Sequence, residues 1–209
     1  MPMLSFPLTP QWLDHVLELA DTPWCCDAFD AVFVRHGWAI PAEDDEVAVG
    51  WLDHWPLGDP AAGAWHVVLG EYPGCADTDD RGVACDDPEC HENSFLVLPL
   101  AYAAIDATDA YTGLPVSQQE FCGGEPPSQA AYLQDARSED FTARYDDAAR
   151  MLRARLGDPL PVAGPLPPDE PDQRISWERG KSLITLFLGA NWYNYAQDDW
   201  IGIDIRPMG

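Results

Sequence analysis

SEDFTARYDDAARMLRARLG (residues 138–157), DPLPVAGPLPPDEPD (158–172) and ISWERGKSLITLFL (175–188) decide the fold class. In the first stretch Ser138 can cap a helix, and Glu139 and Asp140 suit its positive first turn. Phe141, Tyr145, Ala148, Ala149, Leu152 and Leu156 then form one apolar stripe that stops at Gly157, which predicts a long amphipathic helix. Arg144, Arg150, Arg153 and Arg155 lie on its other face, placed to pair with nearby acids. Prolines in the second stretch forbid helix and predict a stiff, extended connector over 158–172. In the third, Ile175 and Trp177 precede the turn Arg179-Gly180-Lys181 and the apolar run Leu183 to Leu188. With Ile201, Ile203 and Ile205 further on, these residues read as a three-stranded antiparallel meander.

Toward the amino terminus the same two patterns recur. Thr9-Pro10 reads as a cap followed by proline at the first helical position, with Leu13, Val16, Leu17 and Ala20 on one face. A break at Thr22-Pro23 precedes a second helix, with Cys25, Ala28, Phe29, Val32, Phe33 and His36 in register and Gly37 as its C-cap. Val47, Val49 and Trp51 alternate as a strand does, and residues 64–71 and 94–100 are two further strands expected to pair antiparallel. Glycine and proline punctuate residues 101–127, where no element is assigned. The expectation is one α+β domain over residues 1–209: an antiparallel sheet, an N-terminal helix pair and one long central helix. Helix followed by strands occurs twice, the outline of a duplicated layout.

Charge is the strongest compositional signal. The 209 residues carry 36 Asp and Glu against 11 Lys and Arg, a formal net charge of -25. Residues 1–136 hold 24 acidic and 2 basic side chains (Arg35 and Arg81), whereas residues 137–209 hold 12 and 9. The negative field therefore belongs to the first two thirds. Such a surface repels phosphate backbones and anionic lipid heads, so nucleic acid and membrane partners are disfavoured and a basic protein is favoured. Nine Trp, seven Tyr and seven Phe supply too much apolar surface for a disordered acidic tail. No run of about eighteen apolar residues exists, and the start MPMLSFPLTP lacks a basic, then apolar, leader pattern; a cytoplasmic protein is expected.

Six cysteines stand at Cys25, Cys26, Cys75, Cys85, Cys90 and Cys122. The acidic loop 70–93 is longer than compact domains leave unsupported, so something should staple it. Cys75, Cys85 and Cys90 with His91 or Cys122 offer four soft donors, sufficient for a tetrahedral structural zinc. Their spacing, C-x9-C-x4-C-H, lacks paired C-x2-C ligands, and the same residues could instead form a disulfide or remain thiols. Cys25 falls on an apolar stripe and is expected in the core. Asp77-Thr78-Asp79-Asp80-Arg81-Gly82 opens like a calcium loop, but Arg81 and Pro88 occupy positions that need ligands, which argues against calcium.

No nucleophile elbow, phosphate-binding loop, dinucleotide fingerprint or H-E-x-x-H zinc helix occurs. His54, beside Asp53 and Trp55, and His66, beside Trp65, are the candidate acid–base residues of an enzyme reading; packing against tryptophan is the structural alternative. Asp198-Asp199 reads equally as a pair of carboxylates for acid–base chemistry or as a turn before the last strand.

Three pieces resemble small actinobacterial immunity-like proteins found beside polymorphic toxins: Val34-Arg35-His36-Gly37-Trp38 closing the early helix pair, Leu156-Gly157-Asp158-Pro159 closing the later helix, and Ile175-Ser176-Trp177-Glu178-Arg179 opening the terminal hairpin. The resemblance implies a cytoplasmic protein that blocks a toxin by occupying its basic active surface. Partner contacts are then expected from Glu43, Asp44, Asp45, Glu46, Asp53, Asp77, Asp79 and Asp80, with Trp51 and Trp55 as desolvated anchors and Trp192, Tyr193 and Tyr195 as further aromatic candidates. Two other readings stand beside it: a zinc-stabilised adaptor or subunit, and an enzyme built on a histidine and a carboxylate.

Overall fold

The structure is a computed structural model that describes residues 3–6, 8–36, 55–57, 65–69, 94–104, 131–133, 135–161, 173–190 and 198–208. Its elements run β1 (Met3–Ser5), α1 (Pro10–Asp21), α2 (Cys26–Arg35), β2 (Trp55–Leu57), β3 (Trp65–Leu69), β4 (Leu96–Ala104), β5 (Ala131–Leu133), α3 (Ser138–Leu156), β6 (Gln173–Arg179), β7 (Ser182–Ala190) and β8 (Asp198–Pro207). The strands follow the order β2-β3-β4-β8-β7-β6, with β1 against both β4 and β5. Antiparallel pairing joins β3 to β4 with Val68 opposite Val97, and β1 to β4 with Leu4 opposite Tyr102. The fold is α+β with an antiparallel sheet. No helix among the described residues is long and apolar enough to cross a membrane.

Contacts divide the chain into two compact units, one of Met1–Thr9, Pro99–Trp177 and Thr185–Ile203, the other of Pro10–Leu98, Glu178–Ile184 and Asp204–Gly209. In the first unit α3 buries the predicted stripe of Phe141, Tyr145, Ala148, Ala149 and Leu152. Its N-cap is Arg137 rather than Ser138: the Asp140 carboxylate accepts the Arg137 backbone N–H at 2.8 Å, the bond that the N3 side chain supplies in a capping box. That backbone bond, with the Arg137 side chain, holds the Asp140 carboxyl below its ordinary range. On the exposed face Arg150 pairs with Asp147, as the spacing predicts. Beyond Gly157 the chain returns to β6. Trp177, buried on that strand, donates its indole N–H to the Gly157 carbonyl at 3.0 Å, and Leu160 N–H donates to the Ser176 carbonyl at 2.8 Å. Trp200 lies stacked with Tyr102 and edge-on to Phe187, with ring centroids 6.0 and 4.8 Å away.

In the second unit α1 buries Trp12, Leu13, Val16, Leu17, Leu19 and Ala20. Phe29, Val32 and Phe33 form the buried stripe of α2, with Trp24 at 5.1 Å from Phe29, centroid to centroid. Cys25 is not in that stripe; it is the N-cap, extended and half-buried, because the helix begins one residue later. At the other end His36, not Gly37, is the C-cap, its N–H still donating to the Val32 carbonyl; Gly37 lies outside the described residues.

The end of α1 is tied to the β6–β7 hairpin. Arg179 grips Asp21 through two hydrogen bonds, and the buried Ser182 hydroxyl donates to the Ala20 carbonyl at 2.7 Å while accepting the Trp24 indole N–H at 2.9 Å. Ser182→Ala strands a buried donor and a buried acceptor together. It should cost about 1–3 kcal/mol by denaturant unfolding, whereas Ser182→Thr, which keeps the hydroxyl, should cost less.

Asp204 is a second buried polar point in this unit. Its Oδ2 accepts the Arg206 Nε–H at 2.5 Å, and that guanidinium sits over the Phe95 ring at 5.2 Å, but Oδ1 has no hydrogen-bond partner among the described residues. Burial pushes the Asp204 carboxyl up to about 6, against the pull of Arg206. Because the folded value exceeds the unfolded one, this group favours the fold at acid pH and works against it as pH rises through about 6. Asp204→Asn should therefore gain stability over the wild type by up to about 3 kcal/mol at pH 7, with little difference at pH 4, in paired urea titrations.

Candidate functional site

His15 and Glu18 are three residues apart on α1, and that spacing stacks them on one helix face. His36 closes α2 directly above them. Its Nε2 lies 2.6 Å from Glu18 Oε2, and His15 Nδ1 lies 4.0 Å from the same oxygen. The two imidazoles meet edge to face, with centroids 4.4 Å apart, and Trp12 flanks His15 at 5.3 Å. Glu18 Oε1 takes the Arg35 guanidinium, so both carboxylate oxygens are engaged. His15, Glu18 and His36 are each half-buried, with 15%, 33% and 23% of the side chain exposed. A small solute can reach the cluster, yet it is shielded enough for charge to count.

Protonation follows from this packing. Burial, reinforced by the neighbouring His36, pushes the His15 imidazole below its ordinary value, with Glu18 and Asp14 pulling the other way. Burial opposes ionisation of Glu18, but the hydrogen bond and charge of His36 together with Arg35 outweigh it and hold the carboxyl below its ordinary range. The cluster thus presents an ionised carboxylate at neutral pH beside two imidazole rings, one of which, His36, hydrogen-bonds it through Nε2. Those are the donor types of a first-row transition-metal site, and their three ligating atoms lie within 4.8 Å of one another.

Glu43, Asp44, Asp45, Glu46, Trp51, Asp53, Asp77, Asp79 and Asp80 are outside the described residues, as are Cys75, Cys85, Cys90, His91, Cys122, His54, Trp192, Tyr193 and Tyr195. Trp55 opens β2 opposite Val67, and His66 of β3 stands opposite Pro56. Asp198 and Asp199 are the first residues of β8, not a turn preceding it. Sequence reasoning missed Glu18 altogether. The pattern H-x-x-E inside a predicted helix was the available signal, whereas the arrival of His36, 21 positions beyond His15, follows from how α2 folds back and leaves no local trace. No protein-family profile, curated protein or solved structure matches this chain.

Proposed function

We propose that this chain is an acidic inhibitory binding protein of the immunity or antitoxin kind, acting in the cytoplasm by occupying a basic surface of a partner protein. The observation that carries this reading is the division of charge: residues 1–136 hold 24 acidic and 2 basic side chains, against 12 and 9 in residues 137–209. Local pairing leaves this division almost unchanged, because each ion pair removes one charge of either sign. In the carboxy-terminal part Arg137 pairs with Glu139 and Asp140, and Arg150 with Asp147. In the amino-terminal part Arg35, one of its two cations, is bound to Glu18. A field of this sign attracts a cationic cleft over a Debye length and competes with the anionic substrate such a cleft serves. Glu43, Asp44, Asp45, Glu46, Asp53, Asp77, Asp79 and Asp80 are the proposed contact acids, and Trp51 and Trp55 the anchors that convert encounter into lasting contact.

The reading is tested by affinity capture from source lysate at low ionic strength, elution in a salt gradient, and assay of the captured protein with and without this chain. A basic protein released by salt and inhibited at one-to-one stoichiometry is expected. Failure to retain any basic protein, or capture of one whose activity is untouched, contradicts the reading.

A further inference from the structure

We propose that His15, Glu18 and His36 form a binding site for one divalent ion of the zinc class, with Arg35 holding the carboxylate by its other oxygen. Four independent features of the second unit converge on this assignment.

The donor set comes first. Two imidazole nitrogens and one carboxylate oxygen are the ligands that catalytic-type zinc sites use, leaving one position for water or another ligand. Magnesium and calcium prefer all-oxygen shells, so the nitrogens select against them. Distance comes next. Ligands about 2.1 Å from a tetrahedral ion are about 3.4 Å from each other, and the two measured separations, 2.6 Å for His36 to Glu18 and 4.0 Å for His15 to Glu18, straddle that value. All three ligating atoms lie within 4.8 Å of one another, so an ion seated between them would replace the hydrogen bond that joins His36 Nε2 to Oε2 and draw His15 inward.

The outer shell is in place as well. Arg35 occupies Oε1 and leaves Oε2 facing the two rings, the kind of contact that fixes a ligating carboxylate in one orientation. Lastly, His36 is the C-cap of α2, and the negative end of that helix favours a cation beside it. The ligands come from two helices, so a bound ion would clamp the end of α2 to the face of α1.

The sequence offers another candidate donor set, Cys75, Cys85, Cys90, His91 and Cys122, and the experiment separates the two. Full-length protein, stripped with a chelator, is titrated with Zn2+ and Co2+, with Mg2+ and Ca2+ as controls. One Co2+ per chain with ligand-field bands of nitrogen and oxygen coordination, and no thiolate-to-cobalt charge transfer for that ion, is expected. Glu18→Gln and His36→Gln should each lower the stoichiometry by one ion or weaken it at least tenfold, and Arg35→Ala should weaken it about tenfold. Zinc should raise the unfolding midpoint of the wild type but not of Glu18→Gln. The two variants sit on different helices, so a folding defect in one leaves the other to decide. Metal held solely with a thiolate signature, or bound equally by wild type, Glu18→Gln and His36→Gln, overturns the proposal.

Discussion

Trp177→Ala is expected to destabilise the protein by about 3–5 kcal/mol, the range for truncating a buried aromatic side chain. Trp177 is 2% exposed, and its indole N–H donates to the Gly157 carbonyl, at the point where α3 ends. Truncation opens a cavity under β6 and also leaves that carbonyl without its donor. Trp177→Phe removes the hydrogen bond while keeping most of the volume, and should cost about 1–2 kcal/mol. The difference between the two variants in urea unfolding separates packing from hydrogen bonding. A chain of this size should lose on the order of 10 °C in Tm for the alanine variant. An alanine variant within about 1 kcal/mol of wild type would show that Trp177 does not anchor the return from α3 to the hairpin.

Phe29→Ala should have a comparable effect in the other unit, about 3–5 kcal/mol. Phe29 is fully buried, with Trp24 and Phe33 centroids at 5.1 and 6.3 Å, and it seats α2. Because α2 carries Arg35 and His36 to Glu18, loosening it should also weaken the proposed ion site. Phe29→Leu keeps more of the volume and should cost under about 2 kcal/mol and retain the site. Equilibrium unfolding followed by tryptophan fluorescence and a Co2+ titration of both variants check the two effects together. Full ion affinity in a destabilised Phe29→Ala would show that α2 holds its end in place without this ring.

What could be read from sequence depended on the length of each pattern. The six buried positions of α1, the five of α3 and the isoleucines of β8 repeat often enough to declare their period. β1, β2 and β5 have three residues each, too few for alternation to register, and they exist because a neighbouring strand pairs with them. β4 continues to Ala104 through Pro99, a residue that punctuates sequence. Here it falls between Leu96 and Val97, which pair with β3, and Ala101 to Ala103, which pair with β1. The interacting motif pair Gly157 and Trp177 was visible as two separate landmarks, but not as a contact. The histidine–glutamate cluster was half legible, since His15 and Glu18 share a helix face. Its third member arrives by tertiary folding, which composition and spacing do not encode locally.

The division of charge is tested most directly by association kinetics. Glu43→Gln, Asp44→Asn, Asp45→Asn and Glu46→Gln, combined in one chain, remove four negative charges from the amino-terminal part at nearly constant volume. Binding of the captured basic partner should slow by about tenfold or more at low ionic strength, with a flatter dependence on salt and a smaller change in dissociation rate. An association rate and salt dependence equal to those of the wild-type chain would contradict the account.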